Sequence, residues 1–423
     1  MNIRFYNARI LSMNGDFTIT TGEVIVCGDR IHYVGAPAAH NLIFDREIDC
    51  EKNLLMPGFK NAHTHSAMTF LRSYADDLPL SSWLNDKVFP LEAKLTAEHI
   101  YHLSVLAIME YLTSGITSNF DMYFTPETIA QAALDTGFRT VMTGALNNFT
   151  HSLQELEDWH DRFNNGDERI SFILGFHAEY TNSLENLEGL AALAHKLRAP
   201  VFTHCSETAE EVSGCIERHG ITPPALFDRL DLFRYGGGAY HCVHITEEDL
   251  DIFAASNLSI VTNPASNLKL ASGIAPIQRM LDKGINVAIG TDGPASNNCL
   301  DFFREMFLVT GLAKAREEDA AAVDAFAVLE MAVRGGAIAM GLSDCDCLAP
   351  GKLADIILID LKQPNMQPLN NIAKNIVYSG SKQNVTLTMV NGRILYENGH
   401  FHIGIAPEQV YAKVNEITQM LTR

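Results

Sequence analysis

LLMPGFKNAH, residues 54–63, runs on into Thr64-His65 and is the first of eight short apolar stretches spread through the middle of the chain. The others are GITSNFDM (115–122), RTVMTGAL (139–146), ISFILGFH (170–177), APVFTHC (199–205), GGGAYHC (236–242), LSIVTN (258–263) and NVAIGTD (286–292). Amphipathic segments such as HIYHLSVLAIMEYLTSG (99–115), LENLEGLAALAHKL (184–197) and APIQRMLDKG (275–284) stand between them. Apolar runs alternating with helical ones are βαβ grammar, and they imply a parallel sheet. Gly115 and Gly284 stop two of the helices before the next strand begins. Eight strand-helix units in series predict an α/β fold of the closed (β/α)8 TIM-barrel type. No GxGxxG fingerprint opens any unit, which weighs against an open dinucleotide-binding sheet.

The two ends read differently. IRFYNARIL (3–11) and GEVIVCGDRIHYVG (22–35) near the start are matched by LADIILIDL (353–361), VTLTMVNGRILYENG (385–399) and HFHIG (400–404) near the finish. Short β-rich runs broken by Asn-Gly and Gly-Asp turns are antiparallel grammar. The expectation is a small discontinuous β-sandwich domain built from residues 1–56 plus 345–423, attached to a barrel spanning 57–344.

Bulk composition narrows the partners. The net charge is −20, from 31 basic and 51 acidic residues, so polyanionic partners such as nucleic acid and anionic membrane are disfavoured. Eight scattered cysteines form no CxxC pair and no disulfide framework, and reduced buried thiols are the expectation. The opening MNIRFYNARILSMNGDF reads as strand and turn rather than as a leader, and no run of eighteen apolar residues follows. The expected location is the cytoplasm.

Catalytic groups of a parallel barrel gather at the C-terminal ends of its strands. The first run ends in His63-Thr64-His65, whose alternate side chains project the same way on extended backbone. The fifth ends in His204-Cys205-Ser206-Glu207, the sixth in His241-Cys242-Val243-His244, and the eighth in Thr291-Asp292-Gly293. Three histidines and a carboxylate from strands one, five and eight suit a borderline divalent cation. A lone histidine at a strand end is more often a satisfied structural residue. Their joint placement on strand ends of one barrel carries the metal reading.

The segments PGFKNAHTHSAMTFLR, THCSE, HCVH, NPASNLKLASG, GTDGPASNN and PGKLADIILID together resemble the amidohydrolase superfamily over nearly the whole chain. PLSSWLNDKVFPLEAKLT (79–96) and FDMYF (120–124) place the resemblance in the branch of methylthioadenosine/S-adenosylhomocysteine deaminases and chlorohydrolase-like enzymes. The resemblance implies that His63, His65, His204 and Asp292 bind one metal ion, with zinc first and iron open on this ligand set. ISFILGFHAEY contains no lysine to bridge a second ion, which favours a mononuclear site. A bound cation lowers the pKa of water toward about 7; Asp292 then takes the proton, and neutral His241 holds the nucleophile in line. Glu207 is expected to protonate the ring nitrogen and to pass a proton to departing ammonia. Glu92, His177 and Ser296 are implied readers of ring or sugar atoms, and Trp83 an implied cover over the substrate.

The resemblance thus points to a hydrolytic deaminase of an adenine-type nucleoside (methylthioadenosine, S-adenosylhomocysteine, adenosine or 5'-deoxyadenosine) or a related aminopurine. Relatives carry an arginine after the third strand, whereas MTGALNNF (142–149) has none, so the tail of the substrate stays open. Guanine, 8-oxoguanine or cytosine deamination and triazine dechlorination are the enzymatic alternatives. A catalytically silent barrel used for binding or assembly is the alternative of another class. His177-Ala178-Glu179 spells the HxE of cytidine deaminases, but the PCxxC that completes that site is absent, so the match is taken as chance. The expected partner is a small heterocycle, and relatives are often homo-oligomers.

Overall fold

The eight apolar runs form one parallel eight-stranded sheet in which every strand neighbours the next in sequence. In the computed structural model, which describes residues 1–422 and only the backbone of Ser81, these strands are Phe59–Thr64, Ile116–Met122, Arg139–Thr143, Ile170–Phe176, Val201–Cys205, Gly237–His241, Ser259–Thr262 and Asn286–Ile289. The sheet curls until its ends meet, where Asp292 N donates to His63 O at 3.0 Å and Thr291 N to Asn61 Oδ1 at 2.8 Å. The fold is therefore the (β/α)8 barrel that the alternation predicts. Its interior is packed with Ala62, Phe120, Val141, Phe202, Tyr240 and Val261, so it is a core and not a pore.

Helices return each strand to the start of the next. Thr96, Ser152, Ser183, Thr208 and Thr246 each accept a backbone N–H of the first turn that follows, as residues with a short side-chain oxygen do at helix starts. Gly115 and Gly284 both take positive φ, at 76° and 72°, just after helices Ala97–Thr113 and Ile277–Asp282.

One predicted strand divides. Leu54–Pro57 pairs with Asn2–Leu11 and Ile356–Ile359 in a second sheet, and the barrel strand starts only at Phe59. Gly58 lies at the changeover because a Cβ there would stand 2.1 Å from the Thr117 side chain. The second sheet is built wholly from the two ends of the chain and has nine strands. Its order is His400–Phe401, Arg393–Glu397, Val385–Val390, Ile356–Ile359, Leu54–Pro57, Asn2–Leu11, Ile19–Cys27 and Arg30–Gly35, with Arg46–Asp49 added beside Asn2–Leu11.

The end of the chain is not β-rich. Pro407–Thr422 is a helix that lies against Ala97–Thr113 of the barrel, burying Val410, Val414, Ile417 and Leu421. Among the described residues, no helix is long and apolar enough to cross a membrane.

Between barrel and terminal sheet lies a buried polar seam. Arg139, the first residue of the third barrel strand, donates from Nε to Asp355 Oδ2 at 2.9 Å and from Nη2 to Asn391 Oδ1 at 3.0 Å. Asn391 N donates to Asp355 Oδ1 at 2.8 Å. Lys60, also fully buried, donates to Gly58 O at 3.0 Å and Thr117 Oγ1 at 2.8 Å.

Candidate metal centre

At the opposite, C-terminal end of the barrel the backbone leaves its strands abruptly. Ser206, His241, Cys242 and Asp292 all take positive φ, between 48° and 70°, although none is glycine. Such conformations cost on the order of 1–3 kcal/mol each and persist where surrounding structure fixes them, commonly at functional sites. The turns keep the strand-end side chains pointing inward.

Five of those side chains converge. Ligand atoms of His63, His204 and His241 lie within 4.8 Å of one another, and so do those of His63, His65 and Asp292. His65 Nε2 stands 3.2 Å from Asp292 Oδ1, and His63 Nε2 3.5 Å. The tautomers follow from the outer partners. His65 Nδ1 donates to Met122 O at 2.6 Å, His204 Nδ1 to His177 O at 2.8 Å and His241 Nδ1 to Asn267 Oδ1 at 2.7 Å. Each ring therefore carries its Nδ1 proton outward and turns Nε2 to the shared space, the nitrogen through which an imidazole so placed binds a metal. Against the opposing effect of burial, Asp292 raises the His65 pKa to about 9.

His63 is the decisive case. It is fully buried, and neither of its ring nitrogens has a hydrogen-bond partner. Buried polar atoms are rarely left so in folded proteins, and an imidazole beside a carboxylate and two further imidazoles suits a divalent cation. Burial pushes the His63 pKa down to about 3, and that of His204 well below the usual range, so both stay neutral and ready to ligate. Burial alone would raise Asp292, but the imidazoles set against its carboxylate, His65 nearest at 3.2 Å, hold it well below the usual carboxylate range. Its other oxygen, Oδ2, accepts from Ser266 Oγ at 2.6 Å and Ser296 Oγ at 2.7 Å, while Gly293 N donates to Oδ1 at 2.7 Å.

Glu207 lies across from this group, with Oε2 3.8 Å from His241 Nε2 and Oε1 accepting from Ser272 Oγ at 3.4 Å. Burial raises its pKa, with the Asp292 charge adding to the effect and His241 opposing it. Glu211 fixes the turn on which Glu207 sits, by accepting from Ser206 N and Glu207 N at 2.8 Å each.

These groups form the floor of a cavity of about 1630 Å³. Trp83, Glu92, His177 and Ser296 all line it together with His65, His204, Glu207, His241 and Asp292, while His63 is fully buried and joins them through the cluster of ligand atoms. Trp83 is buried in a helical run over 80–92 whose middle turn, Trp83–Val88, is wound as a π-helix. Glu92 accepts from Tyr123 Oη at 2.7 Å, and burial pushes its pKa up to about 7. His177, pushed down to about 4 by burial, is neutral and shares a hydrogen bond with Thr181 Oγ1 at 3.1 Å.

The amidohydrolase family model matches residues 54–395. This chain belongs to the amidohydrolase family. It is 39% identical over 431 residues, covering 100% of this chain and 99% of the other, to the 5-methylthioadenosine/S-adenosylhomocysteine deaminase of Caldanaerobacter subterraneus subsp. tengcongensis. It is 40% identical over 395 residues to the 5'-deoxyadenosine deaminase of Methanothermobacter thermautotrophicus, covering 91% of each chain. Among solved structures, an adenosine deaminase from Xanthomonas campestris with bound zinc superposes with a TM-score of 0.93 at 32% identity, over 100% of this chain and 98% of that one.

Three supports of this amidohydrolase site escaped the sequence reading. Asn267 and Ser266 lie within NPASNLKLASG, a segment that contributes no strand-end ligand, yet they set the His241 tautomer and hold Asp292. Glu211, four residues after Glu207, looks like an ordinary acidic residue in the first turn of helix Ala209–His219. An acidic residue in a first turn beside a strand-end cluster was the one available signal for it.

Proposed function

We propose that this amidohydrolase is a mononuclear metal-dependent deaminase that releases ammonia from the exocyclic amino group of an adenine-type nucleoside. The observation that carries the reading is the pair of orphaned His63 nitrogens beside Asp292, in a cluster whose Asp292 and His241 line the cavity together with Glu207. The names of the two sequence relatives and of the zinc-bound structural neighbour support the nucleoside assignment. His63, His65, His204 and Asp292 would hold the ion, expected to be zinc, which supplies Lewis acidity and a reactive water near neutral pH.

The side chains divide the remaining work. Asp292, with Oδ2 steadied by two serine hydroxyls, accepts the proton of the attacking water. His241, held in one tautomer by Asn267, fixes that water with its free Nε2. Glu207 keeps its proton more readily than a solvated carboxylate because it is buried. It donates that proton to the ring nitrogen beside the attacked carbon. A C–O bond forms, and the ionised Glu207 takes the proton of the new hydroxyl and passes it to the amino group. The C–N bond breaks and ammonia leaves as the C=O forms, and the proton held by Asp292 restores Glu207. The net charge of −20 and eight free cysteines support a cytoplasmic enzyme working on a small molecule.

Ammonia release measured across adenosine, 5'-deoxyadenosine, methylthioadenosine, S-adenosylhomocysteine, guanine and cytosine tests the proposal. Release from at least one adenine nucleoside in preference to both bases is expected. No ammonia from any nucleoside, together with chloride release from a halotriazine, would overturn it.

A further inference from the structure

We propose that the cavity selects nucleosides whose 5' end carries no carboxylate, an inference that rests on the adenine-nucleoside reading above. Among the described residues, two side chains of permanent positive charge line the cavity, Arg218 and Lys269. Both are already matched. The three N–H bonds of the Lys269 ammonium have three acceptors, Asp76 Oδ1 at 2.6 Å, Ala295 O at 2.9 Å and Asn298 Oδ1 at 3.0 Å. Arg218 makes a two-point pair with Glu179, from Nε to Oε1 at 3.1 Å and from Nη2 to Oε2. Glu179 is itself buried, so the guanidinium charge is cancelled at close range.

The rest of the wall is largely apolar, and apart from histidines its ionisable groups are mostly carboxyls. Asp77 and Glu210 line the same cavity as Glu92, Glu207, Glu211 and Asp292. The loop after the third barrel strand contributes Asn147, Asn148 and Phe149 and no charge. A carboxylate on a tail that points away from the metal ligands sheds water, meets no uncommitted lysine or arginine and has carboxyl groups such as Asp77 and Glu210 in the wall around it. A hydrogen, hydroxyl or thioether at the 5' carbon incurs none of these costs.

The test compares kcat/KM for 5'-deoxyadenosine with three thioethers of similar length: 5'-butylthioadenosine, 5'-(3-aminopropyl)thioadenosine and 5'-(2-carboxyethyl)thioadenosine. The carboxylate tail is expected to be slower than the butyl tail by on the order of ten-fold or more, the factor that about 1.4 kcal/mol represents. Two variants should move that ratio toward unity by different routes. Phe149→Arg places an unpaired guanidinium at a side chain that is 91% exposed, and Glu179→Gln leaves Arg218 without its counter-charge. Equal kcat/KM for the butyl and carboxyethyl compounds overturns the proposal. So does equal slowness of both beside rapid 5'-deoxyadenosine, which would make length and not charge the discriminator. Failure of every nucleoside, 5'-deoxyadenosine included, refutes the nucleoside reading itself and removes this proposal with it.

Discussion

The two ends of the barrel are made of the same strands, yet they treat buried polar groups in opposite ways. At the N-terminal end, buried Arg139 and Asp355 and half-buried Asn391 satisfy one another and tie the barrel to the terminal sheet, and buried Lys60 has its own partners in Gly58 and Thr117. At the C-terminal end, His63 keeps two unpartnered nitrogens, Asp292 is pressed against two histidines, and four non-glycine residues sit at positive φ. A closed network contributes to one unique fold. An open one, held in place by Asn267, Ser266 and Glu211, is preorganised for something not supplied by the protein. Burial alone does not mark a site; an unpartnered imidazole set among further imidazoles and a carboxylate does.

The strongest way to break this contrast is to remove the orphan. His63→Ala should abolish metal binding and bring turnover to background, while circular dichroism and the melting temperature of the metal-free protein change little. Metal analysis of the purified variant checks it, and full metal occupancy would refute the ligand role. Next in size, Glu207→Gln should retain the metal and slow turnover by on the order of 10² to 10⁴, the usual range for a lost general acid/base. Unchanged kcat would take Glu207 out of the mechanism.

The opposite end should respond in the opposite currency. Arg139→Met strands Asp355 without its partner in the interior, and losing one member of a buried pair costs about 3–5 kcal/mol. Urea unfolding should register that loss, with metal content and kcat of the still-folded protein close to the parent. A smaller effect is expected from Ser266→Ala, which removes one of two hydroxyls on Asp292 Oδ2. Metal affinity should fall about 10–100-fold, as is typical when a hydrogen bond behind a ligand is lost, and a competitive chelator titration would measure it.

How far these two ends were legible in the sequence follows from the same physics. Barrel strands are buried on both faces, so they stand out as apolar runs, and the groups that close them can be read in order from His63 to Asp292. LLMPGFKNAH reads as one strand although the expected domain boundary cuts it at 56/57; both parts are buried throughout, and the approach of Thr117 to Gly58 marks the changeover. The terminal helix was hidden by its neighbours: Val410, Val414, Ile417 and Leu421 have helical spacing, but they follow a long β-rich stretch. The seam of Arg139 and Asp355 could not be read at all. Its members are 216 residues apart, and neither carries a local signal of its partner.

The smallest prediction sharpens the contrast most finely. Cys345 is buried at the N-terminal end, near Lys60 and Asp355, and its thiol donates weakly to Leu342 O at 3.7 Å. Burial raises its pKa to about 11, so it is a neutral, inert thiol and not a ligand. Cys345→Ala removes one sulfur from a packed region whose ionic partners remain paired, and should cost about 1 kcal/mol of stability. Metal content and kcat should be unchanged, because nothing in the seam is shared with the open cluster at the far ends of the strands. A change in metal content in this variant would mean that the two ends are coupled through the barrel. The division between a closed structural end and an open chemical end would then fail.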